Sequence, residues 1–315
     1  MGKVVLVTGA TGKQGSATIN ALLAQKEEQF TILAVTRDLT TSAAKELASK
    51  SSSIKLVEGD LDDVPSLFRQ AQKWAGAPIW GVYSVQVSMG KDVTSEREVR
   101  QGKSMIDESI KVGVQHFVYS SVERGGDEAS WNNPTPIPHF RTKHDIEHHL
   151  RDATAPGKAG ENMGWTILRP VAFMDNLAPG FSTKVFLTAL RNWLGDKPLQ
   201  WVATKDIGVF AAKAFTNPRE WNRRAVGLAG DELDFAHMSR DFKIVIGSPA
   251  PVTYSVFGSA LTFMVPELRA MISWFASDGY HANVKLRRND HPDMMSFISW
   301  LESESPFEIP FEHAE

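Results

Sequence analysis

The sequence predicts an α/β fold: a doubly wound parallel sheet with a smaller, partly interleaved C-terminal α/β lobe. Three observations lead there. Apolar runs rich in Val and Ile alternate with stretches of helical period along the first half of the chain, the pattern of parallel strands covered by helices on both faces. A glycine-rich turn follows the first of those runs at once. The length of 315 residues leaves room for a second lobe beyond one sheet.

The strand candidates are Val4 to Val7, Ile32 to Val35, Ile54 to Val57, Ile79 to Val85, His116 to Tyr119 and Trp165 to Leu168. Between the first two, Ala17, Ile19, Ala21, Leu22 and Leu23 put small and apolar groups largely on one helix stripe. Met105, Ile106, Ile110 and Val112 do the same before the fifth strand. Residues 1–170 are expected to form a nucleotide-binding domain whose sheet is completed from within 200–230, with Ala225 to Ala229 returning to it. Residues 171–315 then form the smaller lobe, rich in aromatic side chains that are mostly core: Phe181, Phe186, Trp193, Trp201, Phe235, Tyr254, Phe257, Phe263, Trp274 and Phe275. Within it, Asp206 is placed to cap an apolar helix running through Val209 to Phe215.

Composition narrows the function classes. Lys and Arg number 34 against 37 Asp and Glu, a formal charge of −3 with no polybasic block, so nucleic acid is not expected as a direct ligand. There is no cysteine, which removes disulfides, thiolate metal sites and thiol nucleophiles. The apolar run Val4 to Val7 is too short for a secretory core, and Leu6 stands where myristoylation needs Ser or Thr. The uncharged stretch Ile244 to Pro266 is broken by Gly247, Pro249, Pro251 and Gly258, and reads as loop and buried elements rather than a membrane span. A soluble cytoplasmic protein without a membrane partner is expected; oligomeric state is left open.

The first strand ends in Thr8-Gly9-Ala10-Thr11-Gly12-Lys13-Gln14-Gly15, directly before a helix. Glycines Gly9, Gly12 and Gly15 let the backbone turn sharply and approach a pyrophosphate, while free N–H groups at the helix start attract its charge. Thr11, Lys13 and Gln14 lie within the same loop. At the end of the second strand an acid would bind the ribose 2′-hydroxyl of NAD, whereas Arg accommodates the 2′-phosphate of NADP. Here the chain reads Val35-Thr36-Arg37-Asp38, which favours NADP(H), with an ion pair between Arg37 and Asp38 as the competing use of that guanidinium. Asp60 and Leu61, past the third strand, are placed beside an adenine, and capping the next helix is the other use of Asp60.

With these segments go Glu58-Gly59-Asp60, the run Gly113 to Ser121, Leu168-Arg169-Pro170, Phe173-Met174-Asp175-Asn176 and Asp206-Ile207-Gly208. Together they resemble the NmrA-like group of atypical short-chain dehydrogenases/reductases over most of the chain. The resemblance implies a Rossmann domain that binds NADP(H) and a smaller C-terminal domain closing a cleft over the nicotinamide. The group holds both reductases and nucleotide-sensing regulators.

Short-chain reductases use Tyr-x-x-x-Lys on a helix, the tyrosine moving the proton and the lysine holding the nicotinamide ribose. The comparable segment is His139-Phe140-Arg141-Thr142-Lys143, so Lys143 is retained and His139 replaces the tyrosine. The i, i+4 spacing puts both on one helix face. Either His139 or Lys143 then serves as the acid, or Lys143 binds ribose alone in a site without turnover. Ser121 is the candidate to polarise a substrate carbonyl, with Ser120 or Val122 as other occupants of that position. The segment from Glu123 to Pro138 reads as a lid or binding loop, with Trp131 set against a substrate or partner or packed on its own loop. Phe173, Met174 and Asn176, just past the sixth strand, are candidates for the substrate pocket. His144 and His148 have ligand spacing but no third ligand, so no metal is expected. The favoured reading is an NADPH-dependent reductase of a small apolar carbonyl, enone or imine. The alternative is a non-catalytic NADP(H)-binding regulator that senses redox state and binds a protein partner.

Overall fold

The structure is a computed structural model that describes residues 2–90 and 93–310; the expected domain limits at residues 1 and 315 lie outside the described residues. Its strands are β1 (Lys3–Val7), β2 (Phe30–Thr36), β3 (Ile54–Glu58), β4 (Ile79–Ser84), β5 (His116–Ser120), β6 (Gly164–Pro170), β7 (Ala172–Phe173), β8 (Leu199–Val202), β9 (Arg224–Leu228) and β10 (Asp231–Leu233). The helices are α1 (Lys13–Leu23), α2 (Ser42–Ser49), α3 (Val64–Ala75), α4 (Ser95–Val112), α5 (Pro138–Ala153), α6 (Phe181–Leu194), α7 (Thr204–Thr216), α8 (Pro218–Trp221), α9 (Phe235–Ile246), α10 (Ser255–Met264), α11 (Pro266–Ser277), α12 (Val284–Asp290) and α13 (Phe297–Ser303). None of the described helices is long and apolar enough to cross a membrane.

Seven strands form one sheet in the order β3-β2-β1-β4-β5-β6-β9. Neighbours from β3 through to β6 pair in parallel. Strands β1, β4, β5 and β6 are buried almost throughout, which is why they read as continuous apolar runs rather than alternating ones. The order reverses between β1 and β4, and in such sheets ligands bind beyond the carboxyl ends of the strands at that switch point. Helix ends are set locally. The Asp63 carboxylate accepts the Ser66 N–H to start α3, and α4 begins where the Thr94 hydroxyl accepts the Arg97 N–H. Both helices stop at left-handed glycines, Gly76 at φ 69° and Gly113 at φ 80°.

The chain divides into two compact units. The first comprises Met1–Val122, Arg141–Arg169 and Ile207–Val226, and the second Glu123–Phe140, Pro170–Asp206 and Gly227–Glu315. In the first, a Cβ on Gly208 would stand 2.4 Å from the backbone of Ala17, so α7 and α1 meet backbone to backbone. A Cβ on Gly102 would likewise stand 2.5 Å from Ile146, bringing α4 close to α5.

The second unit has a three-stranded sheet of its own, in the order β10-β8-β7. Leu199–Val202 therefore belongs there and not to the main sheet. Its core packs Trp201, Phe242 and Trp300 around Phe297 in tilted pairs, with ring centroids 5.7–6.0 Å apart. Three expectations are corrected here. Helix α7 starts at Thr204, so Asp206 sits inside its first turn, and its carboxylate accepts the Met295 N–H at 3.0 Å and faces His291. The uncharged stretch is largely helical at its C-terminal end, as α10. Phe181, Trp193, Tyr254, Phe257 and Phe263 are exposed rather than core.

His116, at the start of β5, supplies a pH handle on the first unit. Thr166 donates its hydroxyl hydrogen to the Trp221 carbonyl at 2.8 Å, so the His116 Nε2, 3.0 Å from that oxygen, carries the ring proton. Burial, and then the Lys3 ammonium, push the imidazole down from 6.5 to about 4. Between those values the unfolded chain binds a proton that the folded one does not. The stabilisation is complete above pH 6.5 and is lost as pH falls toward about 4. Urea unfolding across that window should show stability falling with acid and a shallower slope in His116→Gln; equal slopes would contradict the assignment.

Candidate functional site

The site starts from the turn after β1. The Thr8 hydroxyl donates to the Val85 carbonyl at 3.0 Å and accepts the Val85 N–H at 2.8 Å, which locks the ends of β1 and β4 together. Gly9 turns the chain at φ 58°. The Gly12 N–H closes the turn on the Gly9 carbonyl at 2.9 Å. A Cβ on Gly15 would lie 2.1 Å from that same carbonyl oxygen, so only glycine lets α1 begin this close to the strand. No side chain caps the N-terminus of α1, leaving its first N–H groups to other acceptors.

Around this turn lies a cavity of about 810 Å³, wholly within the first unit. Its floor is Gly9, Thr11 and Gly12, and the end of β2 contributes Thr36 and Arg37. Asp60 and Leu61 line it from β3, and Val85, Val87, Met89 and Val93 form an apolar wall beyond β4. Helix α4 adds Arg97, Glu98 and Gln101. Among the sequence-predicted cofactor residues, Gly9, Thr11, Gly12, Arg37, Asp60 and Leu61 thus share one cavity. Lys13, Gln14, Gly15 and Lys143 are not among its lining residues. Gln14 turns instead to the sheet, where its Oε1 accepts from the Ser120 hydroxyl at 2.5 Å and the Tyr83 hydroxyl at 3.4 Å.

Arg37 is exposed and has no hydrogen-bond or ion-pair partner among the described residues. The anticipated competitor is engaged elsewhere: Asp38 accepts the Thr40 N–H and hydroxyl at 2.7 and 2.6 Å, which hold its carboxyl below the ordinary range. Asp60 lines the cavity and caps a 3₁₀ turn through the Asp62 N–H, while α3 itself is capped by Asp63. Asp62 is held at about 2, chiefly by the Arg97 guanidinium and the Gln101 amide.

Lys143 faces a partner that the sequence reading missed. Its Nζ lies 2.8 Å from Glu98 Oε1, with both side chains almost fully buried. Thr142 and Ser88 also donate to that carboxylate, each at 2.7 Å. Burial by itself would raise Glu98, but the Lys143 charge and these three donors keep it below the usual carboxylate range. The signal was present: residues 98, 102, 105 and 109 form the buried stripe of α4, so an acid at its head needs a cation. Glu147 is similar, on the α5 stripe with Phe140, Lys143 and Leu150.

His139 and Lys143 share α5. His139 falls in the second unit, where its Nδ1 lies 2.7 Å from Glu267 Oε1. The Ser121 hydroxyl, the candidate to polarise a substrate carbonyl, donates to the buried Glu147 carboxylate. Arg169 grips the same carboxylate through two bonds of 3.1 and 2.7 Å, with neither side chain exposed. Of the three substrate-pocket candidates, Met174 is fully buried, Phe173 half-buried and Asn176 exposed.

The segment after β5 is held from within. Arg124, fully buried, donates to the Asn133 and Ser130 carbonyls at 3.0 and 2.8 Å. Glu123 accepts the Gly125, Gly126 and His281 N–H groups, and burial pushes its carboxyl up. Trp131 is half-buried on this loop. No group of three acidic or histidine side chains with metal-binding geometry occurs among the described residues.

A family model for the NmrA-like family matches residues 1–302, and the chain belongs to that family. An NmrA-like family domain-containing oxidoreductase of Aspergillus flavus is 26% identical over 259 residues, 79% of this chain and 74% of that protein. Among solved structures, the triphenylmethane reductase of Citrobacter sp. complexed with NADP(H) is similar at a TM-score of 0.68 and 18% identity, covering 95% of this chain and 99% of that one. An NADPH-dependent quinone oxidoreductase of Escherichia coli complexed with NADPH is similar at 0.67 and 18%, covering 95% and 98%. At those identities the two structures speak to the fold.

Two stability outcomes follow from this geometry. Glu147→Ala leaves Arg169 charged and buried without its counter-ion, a loss of about 3–5 kcal/mol, readable as a lower urea midpoint. Gly15→Ala forces α1 off the turn, so its melting temperature should drop by several degrees. A wild-type melting temperature in Gly15→Ala would show that the turn relaxes freely.

Proposed function

We propose that this chain is an NADPH-dependent oxidoreductase that reduces a small apolar carbonyl, enone or imine compound. The observation that carries the reading is Arg37, an exposed guanidinium without a partner among the described residues, on the rim of the glycine-turn cavity. A phosphate on the adenosine ribose is the anion such a fork suits, and NADP(H) carries one where NAD(H) does not. The site fits the dinucleotide in a second way, since the glycines remove side chains where a pyrophosphate must approach. The names borne by the relatives, and the NADP(H) and NADPH held by the two similar structures, support the same reading.

When bound, NADPH supplies hydride from C4 of its nicotinamide. The chain's own residues do the rest. Arg37 and the N-terminus of α1 bind the two phosphate regions, and Asp60 and Leu61 flank the adenine. The Val85, Val87, Met89 and Val93 wall excludes water and suits an apolar substrate. Lys143, fixed by Glu98, holds ribose and is the candidate to deliver the proton. The regulator reading draws on two observations: the Ser121 hydroxyl donates to Glu147, and no tyrosine stands at position 139.

Arg37→Ala should weaken NADPH binding about tenfold or more, the range of a lost charged hydrogen bond, and leave NADH binding unchanged. Equal losses for both nucleotides would remove the phosphate assignment. NADPH consumption with a panel of quinones, enones and imines should be abolished in Lys143→Met; a wild-type protein that binds NADPH but consumes none with any of them supports the regulator.

A further inference from the structure

Lys143 does not reach the cavity as a bare cation. The lining residue at that point is Glu98, and the ammonium is held to it at 2.8 Å. The charged and titratable groups recorded against Lys143 are Glu98 from α4 and the ring face of Tyr119 from β5, 5.7 Å away. The Glu98 carboxylate also takes Thr142, next to Lys143 on α5, and Ser88, on the segment that carries Val87 and Met89. One side chain thereby ties α4, α5 and the apolar wall together, at a spot where Gly102 has already brought the two helices close.

We infer that Glu98 is a positioning residue that sets both the place and the charge of Lys143, so that this lysine works as half of a buried neutral pair. The inference rests on the reading of Lys143 as the cofactor lysine. A buried ammonium next to a carboxylate keeps its proton more firmly, and one stripped of that partner gives it up at lower pH. Without Glu98, Lys143 is a buried cation that has lost its 2.8 Å carboxylate partner, and the wall loses its anchor at Ser88.

The test is the ionisation of Lys143 itself, followed by carbon NMR of the full chain with labelled lysine and with the Lys143 signal identified by its loss in Lys143→Arg. In Glu98→Gln the midpoint should fall by about one unit or more, the size of shift a removed neighbouring charge produces. Glu98→Asp, which keeps the charge, should stay near wild type. An unmoved midpoint in Glu98→Gln overturns the proposal. NADPH affinity, read by fluorescence on the same proteins, should weaken about tenfold in Glu98→Gln and recover in part in Glu98→Asp; a shifted midpoint with unchanged affinity overturns the positioning role. If the wild type binds no NADPH, the proposed function fails, while the NMR titration still decides the pair.

Discussion

The position of α1 is the constraint on which the site depends. Its start is fixed by Gly15 against the Gly9 carbonyl, and its middle by Gly208 against Ala17. Both are approaches that a single methyl group would prevent. With α1 wedged between the turn and α7, its uncapped N-terminus stands at the carboxyl end of β1 beside the point where strand order reverses. The cavity lies at that placement, lined by the turn after β1 and by the segments that follow β2, β3 and β4. An anion at the start of α1 then meets backbone donors rather than side chains.

Buried carboxylates organise the rest. Glu98 joins α4 to α5, and Glu147 joins α5 to Ser121 and Arg169 at the ends of β5 and β6. In the second unit Glu123 gathers the glycine N–H groups of its own loop and the His281 N–H. A buried acid is costly unless each lone pair is satisfied, and each of these is met by several donors. Such groups favour one arrangement over its neighbours, since a shift of one partner strands a charge.

Much of the first unit was legible in the sequence. Strands buried on both faces announce themselves as Val- and Ile-rich runs, and the glycine spacing marks the turn, because in both cases the local chemistry is the cause of the structure. The seventh strand, β9, was visible as an apolar segment returning late in the chain. What was illegible were pairings across long separations. Nothing local announces that the Ser121 hydroxyl donates to Glu147, 26 residues on, or that His139 faces Glu267, 128 residues away. Met174 and Phe173 are neighbours in the chain, yet one is core and the other half-buried. The stripe on α4 could have exposed Glu98, since an acid in line with Gly102, Met105 and Ser109 is not a solvated side chain.

The central claim is that the glycine-turn cavity takes NADP(H) through Arg37 and the start of α1. A crystal structure of the protein with NADPH tests it most directly. The account predicts the 2′-phosphate in contact with the Arg37 guanidinium and the pyrophosphate on the N–H groups that open α1. A nucleotide bound elsewhere, or one whose 2′-phosphate points away from Arg37 into solvent, would contradict it.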